Sequence, residues 1–188
     1  MLFRSLFEME LQNFCFEAWD EKPNISFHQL HQTHSAKVIA TPCDNSLEGD
    51  GIVGLKENLG IKTADCLPIA LIGRDQAALV HAGWRGLQQQ ILSDEKIKAL
   101  SPQQAFIGPC IHACCFEVTP EFQEHFPHRP IMNGRFDLIA EAKDQIRRLY
   151  GIEAIDSGVC TCCDKNFPSF RRDKTPQRIW NILRYQAK

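Results

Sequence analysis

Two apolar runs, Leu67 to Ile72 (LPIALI) and Ala77 to Val80 (AALV), constrain this chain most. Both are short, and their branched or small apolar side chains suit buried strands, so the pair reads as a hairpin. Val38-Ile39, Ile52-Val53, Ala105 to Ile107 and Ile152 to Ile155 read as further short strands, and Pro42 to Gly51 as a turn region. Residues 25 to 40 read as a strand, a polar turn and a second strand. Helical spacing shows from Gln88 to Leu100, and most clearly from Leu138 to Tyr150, where Leu138, Ile139, Ala142, Ile146 and Leu149 share one face before Gly151. Thr119 before Pro120-Glu121 reads as a helix start. Strands and helices mix without regular βαβ alternation, which favours an α+β sandwich over a doubly wound sheet. No repeat, low-complexity tract or linker interrupts the chain, so residues 1–188 read as a single domain.

At 188 residues the chain is long enough for one substantial core. Its 21 Lys and Arg against 23 Asp and Glu give a net charge of -2, mixed along the sequence, so charge gives no argument for a nucleic-acid or membrane partner. No apolar run reaches the roughly 18 residues of a membrane span. The N-terminal MLFRSLFEMELQNF is interrupted by Arg4, Glu8 and Glu10 and does not read as a signal peptide, so a cytoplasmic location is expected. Nine cysteines, an odd count with adjacent pairs at Cys114-Cys115 and Cys162-Cys163, do not suit a secreted disulfide framework. Reduced thiols are expected.

Three segments place metal-competent residues among small or turn residues beside apolar strands: Gln32 to Ser35, Thr63 to Pro68, and His81 to Gly86. If the two apolar runs pair, Cys66 and His81 reach the same open end. With His34 they make a two-histidine, one-cysteine set that leaves one tetrahedral zinc position open; zinc lowers the pKa of bound water toward ~7. Gly83 and Gly86 would let backbone approach a ligand, and Arg85 could take a phosphate or carboxylate bidentately. Asp65 is a candidate to orient the water, although its place next to Cys66 in sequence can turn it away. A rival chemistry uses the same residues: Cys66 as thiolate nucleophile, His81 as base, His34 as orienting group and no metal. A non-enzymatic redox or metal-binding adaptor is the third reading. Seven histidines, three of them between 28 and 34, do not build a multicopper cluster. Cys110, Cys114 and Cys115 form one cluster and Cys160, Cys162 and Cys163 another; the two could together make a structural zinc site, but they lack the spacing of paired CxxC knuckles, and buried or surface thiols are the expected role. Pro109 to Cys114 (PCIHAC) is not the PCxxC of zinc nucleobase deaminases, and no HxE precedes it. His112 reads as a local hydrogen-bonding residue.

HQTHSAKV, DGIVG, KTADCLPI, HAGWRGL, IGPCIHACCFEV, RFDL and CTCCDKNFPSFRRDKTPQR occur in the order of the YfiH family, which this chain resembles from about Gln29 to Trp180. That family has carried the label multicopper polyphenol oxidase, or laccase-domain protein, and is now described as purine nucleoside phosphorylase with adenosine deaminase activity. The resemblance implies a four-layer α/β/β/α sandwich with mixed sheets and a single zinc on His34, Cys66 and His81. It implies phosphorolysis of adenosine, inosine, guanosine and methylthioadenosine, hydrolytic deamination of adenosine, and purine nucleoside and phosphate as partners. Arg171 and Arg172 fit a phosphate-binding role in such chemistry. The fold is shared with a toxin deamidase that uses a catalytic cysteine, and some relatives are linked to peptidoglycan precursor editing, which keeps a Cys66–His81 hydrolase open. The chain departs from the family in lacking a longer Arg-Gly-Gly-rich N-terminal segment, in having Ser35 after His34 where glycine is usual, and in lacking the glycines of the closing pattern at Arg171 to Arg178.

Overall fold

A computed structural model describes residues 5–187; of the N-terminal segment read above, residues 1–4 lie outside it, as does residue 188 of the single domain expected over 1–188. Strand β1 (Ser5–Leu11) turns at Gln12 and Asn13 into β2 (Phe14–Trp19), and the two pair antiparallel. Strand β3 (Val38–Ala40) runs parallel to β4 (Gly51–Leu55), and β5 (Leu59–Thr63) follows. The expected hairpin forms as β6 (Leu67–Ile72) and β7 (Gln76–Ala82), antiparallel, with Leu67 opposite Ala82 and Pro68 opposite His81. Strand β8 (Gln104–Ile107) pairs with β6, and β9 (Ala154–Asp156) lies parallel to β8. Strand β10 (Ile179–Tyr185) enters between β2 and β5. Two sheets result, a four-stranded one in the order β1-β2-β10-β5 and a mixed six-stranded one in the order β3-β4-β7-β6-β8-β9.

The α+β two-sheet sandwich is therefore what forms. Between the sheets lies one core, in which Phe14, Phe16, Leu59, Ile61, Ile179 and Leu183 meet Ile52, Ala70, Ile72, Leu79 and Phe106. Phe16 and Phe106 meet edge to face at 5.1 Å, a favoured aromatic geometry. A second core lies on the other face of the six-stranded sheet, under the helices. Strands β6 and β7 are apolar almost throughout because both their faces are covered. Helix α3 (Leu138–Tyr150) supplies the largest stripe, with Leu138, Ile139, Ala142 and Ile146 buried; Asp137 caps its start and Gly151 ends it at φ +69°. On the smaller sheet's outer face, Phe27 lies against Trp180.

Four strands, β1, β2, β5 and β10, go beyond the sequence expectation. Their alternation is masked by charged residues: Glu8 and Glu10 lie on the exposed side of β1, while Glu17 is buried and Arg184 bonds it across the strands at 2.7 Å. Conversely, the strand expected from residue 25 is an irregular segment with single bridges at His28 and His31. The helix expected over 88–100 breaks into α1 (Trp84–Gln88), a 3-10 turn (Ile91–Ser93) and α2 (Glu95–Ala99). Gln90 adopts φ +59°, and Asp94 restarts the helix by accepting from the Lys96 amide at 2.8 Å. The element starting at Thr119 is a 3-10 helix (Pro120–His125) that the Thr119 side chain does not cap. None of the helices among the described residues is long and apolar enough to cross a membrane.

Gly73 closes the β6 end of the central hairpin. A Cβ there would lie 2.4 Å from the backbone carbonyl oxygen of Leu100. Backbone yields less readily than a flexible side chain, so Gly73→Ala is expected to destabilise the fold by about 1–3 kcal/mol. Denaturant titration checks this; an unchanged midpoint would mean the loop after α2 moves aside freely.

Candidate metal centre and active site

The hairpin brings Cys66 and His81 to one end of the central sheet, as the sequence reading requires. Cys66 precedes the first residue of β6, and His81 is the penultimate residue of β7. His34 arrives on the loop before β3, in a left-handed conformation at φ +59°. The ligand atoms of His34, Cys66 and His81 all lie within 4.8 Å of one another. The two imidazole rings meet edge to face at 4.7 Å between centroids.

One residue organises this cluster, and sequence reasoning passed over it. Asp50, fully buried, takes a hydrogen bond from the His81 ring at Nδ1 (2.7 Å), and its backbone carbonyl accepts from the His81 amide (2.7 Å). The same carboxylate accepts from the amides of Thr33, His34 and Ser35 and from the Ser35 hydroxyl. It thus folds the His34 loop and orients His81 together, leaving His81 Nε2 as the free ring nitrogen. The signal was an acid between two glycines, Gly49-Asp50-Gly51, just ahead of β4.

The electrostatics follow. Burial would raise the Asp50 carboxyl, but His81 and Ser35 bring it down to about 2. Burial would also raise the Cys66 thiol, yet His81 and His34 pull it to about 6, a thiolate at neutral pH. His81, which burial alone would lower, is raised to about 9 by Cys66 and Asp50. Gly83 completes the cradle: a Cβ there would stand 3.2 Å from Cys66 Sγ and 3.5 Å from His34 Cδ2. Gly86, by contrast, meets its neighbours at ordinary contact distance.

Cys66 sits where two recesses join. One, about 400 Å³, carries the polar and charged side chains of Gln32, His34, Lys62, His81 and Arg178, with Phe170 at its side. The other, about 140 Å³, is lined mostly by apolar and aromatic residues, among them Trp84, Ile111, Phe116 and Phe170, with Arg171 at its side. Lys62, Arg178 and Phe170 were not singled out in the sequence, because only the pairing of β5 with β10 brings Lys62 and Arg178 to the same cleft.

The remaining expected site residues divide. Asp65, at φ +85°, turns its carboxylate onto the Thr161 hydroxyl (2.7 Å), the Ser169 hydroxyl (3.1 Å) and the Arg171 amide (2.6 Å). Arg171 donates to the carbonyls of Cys115 and Glu117 and lies over the Phe116 ring. Arg172 is committed to Asp173 and to the carbonyls of Thr161, Cys162, Asp164 and Phe167. Arg85 is exposed, its guanidinium 4.4 Å from the Trp84 ring centre. Of the six remaining cysteines singled out earlier, Cys114, Cys115, Cys160 and Cys163 converge on one another.

The family model described as multi-copper polyphenol oxidoreductase laccase matches residues 13–184. A curated relative from Aquifex aeolicus, named purine nucleoside phosphorylase, is 40% identical over 161 residues, covering 79% of this chain and 77% of the relative. The crystal structure of Neisseria meningitidis protein NMB0706, of family DUF152, superposes with a TM-score of 0.81 at 22% identity over 98% of this chain and all of that one. The Bacillus licheniformis hypothetical protein YfiH does so with a TM-score of 0.73 at 23% identity, over 85% of this chain and 74% of its own.

Proposed function

The chain belongs to the YfiH family of laccase-domain proteins, and from that membership and the geometry around Cys66 we propose that it is a zinc-dependent purine nucleoside phosphorylase with adenosine deaminase activity. Its substrates on this reading are adenosine, inosine, guanosine and methylthioadenosine, with inorganic phosphate as the second reactant. The observation that carries the proposal is the cluster of His34, Cys66 and His81 ligand atoms backed by the buried Asp50. Two imidazoles and one thiolate are a zinc donor set with an open fourth position, and a carboxylate on the far ring nitrogen is the usual support for a ligating histidine. Bound there, zinc would supply a Lewis acid and a water activated at neutral pH.

The protein's own residues have distinct tasks. The apolar recess of Trp84, Phe116 and Phe170 offers flat aromatic surface to a purine base. Lys62 and Arg178 line the polar recess on the other side of Cys66, and we assign phosphate to them. Asp50 fixes the tautomer and orientation of His81. Asp65 we assign a positioning role, since its carboxylate ties the segment carrying Ser169 and Arg171 to the Cys66 turn. Arg85 would act from the rim. Multicopper chemistry gains no support: the two metal-capable groups among the described residues contain only two histidines between them. Nine unpaired cysteines support assignment to the cytoplasm.

Zinc-loaded protein is expected to release free base from adenosine or inosine only when phosphate is added, and to convert adenosine to inosine without it. Absence of base release from both nucleosides, in protein carrying zinc at this site, would overturn phosphorolysis. A second reading draws on one specific feature, a Cys66 thiolate beside a His81 held protonated and oriented by Asp50. That arrangement also suits a cysteine hydrolase, including one acting in peptidoglycan precursor editing. A covalent adduct on Cys66 in active, metal-free enzyme would select it.

A further inference from the structure

We propose that Cys114, Cys115, Cys160 and Cys163 form a second metal site, a structural one that takes a zinc ion. Their sulfurs all lie within 4.8 Å of one another. Cys114 Sγ is 3.7 Å from Cys115 Sγ, 3.8 Å from Cys160 Sγ and 3.6 Å from Cys163 Sγ, and Cys115 Sγ is 3.3 Å from Cys163 Sγ. Four thiolates at the ~2.3 Å zinc–sulfur distance, set tetrahedrally, have sulfur–sulfur edges of about 3.8 Å. The three edges from Cys114 fall within 0.2 Å of that figure, and the Cys115–Cys163 edge is 0.5 Å shorter.

The fold explains why these four meet. Beyond the parallel pair β8 and β9 the two segments stay side by side, shifted by one residue, through a bridge between Cys110 and Cys160. The Thr161 amide bonds the Cys110 carbonyl at 3.0 Å. Each chain then turns: the amides of Cys115 and Phe116 bond the His112 carbonyl, and those of Cys163 and Asp164 bond the Cys160 carbonyl. The sequence Cys160-Thr161-Cys162-Cys163 is itself a CxxC turn, and its partner is the adjacent pair Cys114-Cys115 rather than a second CxxC. The His112 amide points at Cys160 Sγ at 3.4 Å, a donor suited to a ligating thiolate. Cys114 and Cys163 are exposed, which gives an ion a way in. All-sulfur tetrahedral sites take zinc or iron, and zinc needs no redox partner.

Such a site would staple a segment that lines the apolar recess to one that holds Asp65 beside it. Ile111 and Phe116 flank the first cysteine pair in sequence, and Thr161, between Cys160 and Cys163, donates to Asp65. The inference stands independently of the reading of the His34–Cys66–His81 cluster.

Metal analysis of protein purified with reductant is the test. About two zinc ions per chain are expected, one of which survives in Cys66→Ala. X-ray absorption of that variant should show the remaining zinc bound by sulfur alone. The double substitution Cys114→Ser with Cys163→Ser should lose one zinc and melt at a lower temperature. A single zinc that disappears in Cys66→Ala would overturn the proposal, as would zinc-free protein. So would a Cys115–Cys163 disulfide found by mass spectrometry in freshly isolated, unreduced protein. A single zinc kept in Cys66→Ala but lost in the double variant would uphold this site and remove the metal from the proposed active centre. If the double variant fails to fold, the sulfur coordination in Cys66→Ala decides alone.

Discussion

Replacing Cys66 with alanine is expected to lower kcat/KM for nucleoside phosphorolysis by about 10³-fold or more, equivalent to roughly 4 kcal/mol of lost transition-state stabilisation. The size follows from position. Cys66 belongs to the only group combining histidine and cysteine that can hold a metal among the described residues, and it lies at the junction of both recesses. Its removal leaves two imidazoles, too few to define an open tetrahedral site. Folding should survive, since the side chain is small and only partly buried and β6 begins after it. Activity and zinc content are to be measured on the same sample. Lost activity with zinc retained at the site would make Cys66 a nucleophile instead of a ligand, and retained activity would remove it from the chemistry altogether.

Asp50→Asn is expected to weaken zinc binding and activity by about 10- to 100-fold, the usual cost of losing a carboxylate behind a ligating histidine. An amide keeps the size of the side chain but cannot accept at every position where Asp50 now takes five donors: the His81 ring, three amides and a hydroxyl. The same substitution has a pH signature in metal-free protein. The Asp50 carboxyl sits at about 2 when folded, below the ~3.9 of an unfolded aspartate. A depressed carboxyl contributes stability that is fully present above the unfolded value and is lost as pH falls toward 2. Its share is roughly 2 kcal/mol, so the wild type should lose stability between about pH 4 and 2. Asp50→Asn, less stable at neutral pH, should lack that part of the acid limb. Parallel acid limbs for the two proteins would contradict the role given to the His81–Asp50 pair.

What could be read from sequence was local. The β6–β7 hairpin, helix α3 and its Gly151 stop lie in short windows, and the hairpin alone sufficed to bring Cys66 to His81. What could not be read depended on distant pairing. Trp180 faces Trp19 on one side and Lys62 on the other, so β10 is defined by strands about 160 and 118 residues away. Nothing near Arg178 announces that it will share a cleft with Lys62. Asp50 was hidden differently. As an acid between glycines in a turn region it resembles a solvated loop residue, and only the fold shows it with no exposed surface. A joint site for the two cysteine clusters was disfavoured in the sequence for want of two CxxC turns, whereas the fold brings one such turn against an adjacent pair.

The position of β10 has a consequence for how the protein comes to be made. This strand is made after every other described strand, yet it sits between β2 and β5. Until residues 179–185 emerge, β2 and β5 each present an unpaired edge, and Phe14, Phe16, Leu59 and Ile61 lack the strand that closes their layer. The six-stranded sheet, complete by Asp156, can assemble earlier and serve as a template. The smaller sheet is therefore completed by an insertion, in which β10 enters a waiting gap and carries Arg178 into the cleft as it does so. A ribosome stalled before that point would hold a protein in which His34, Cys66 and His81, the proposed zinc ligands, are all present but the proposed phosphate side still lacks Arg178.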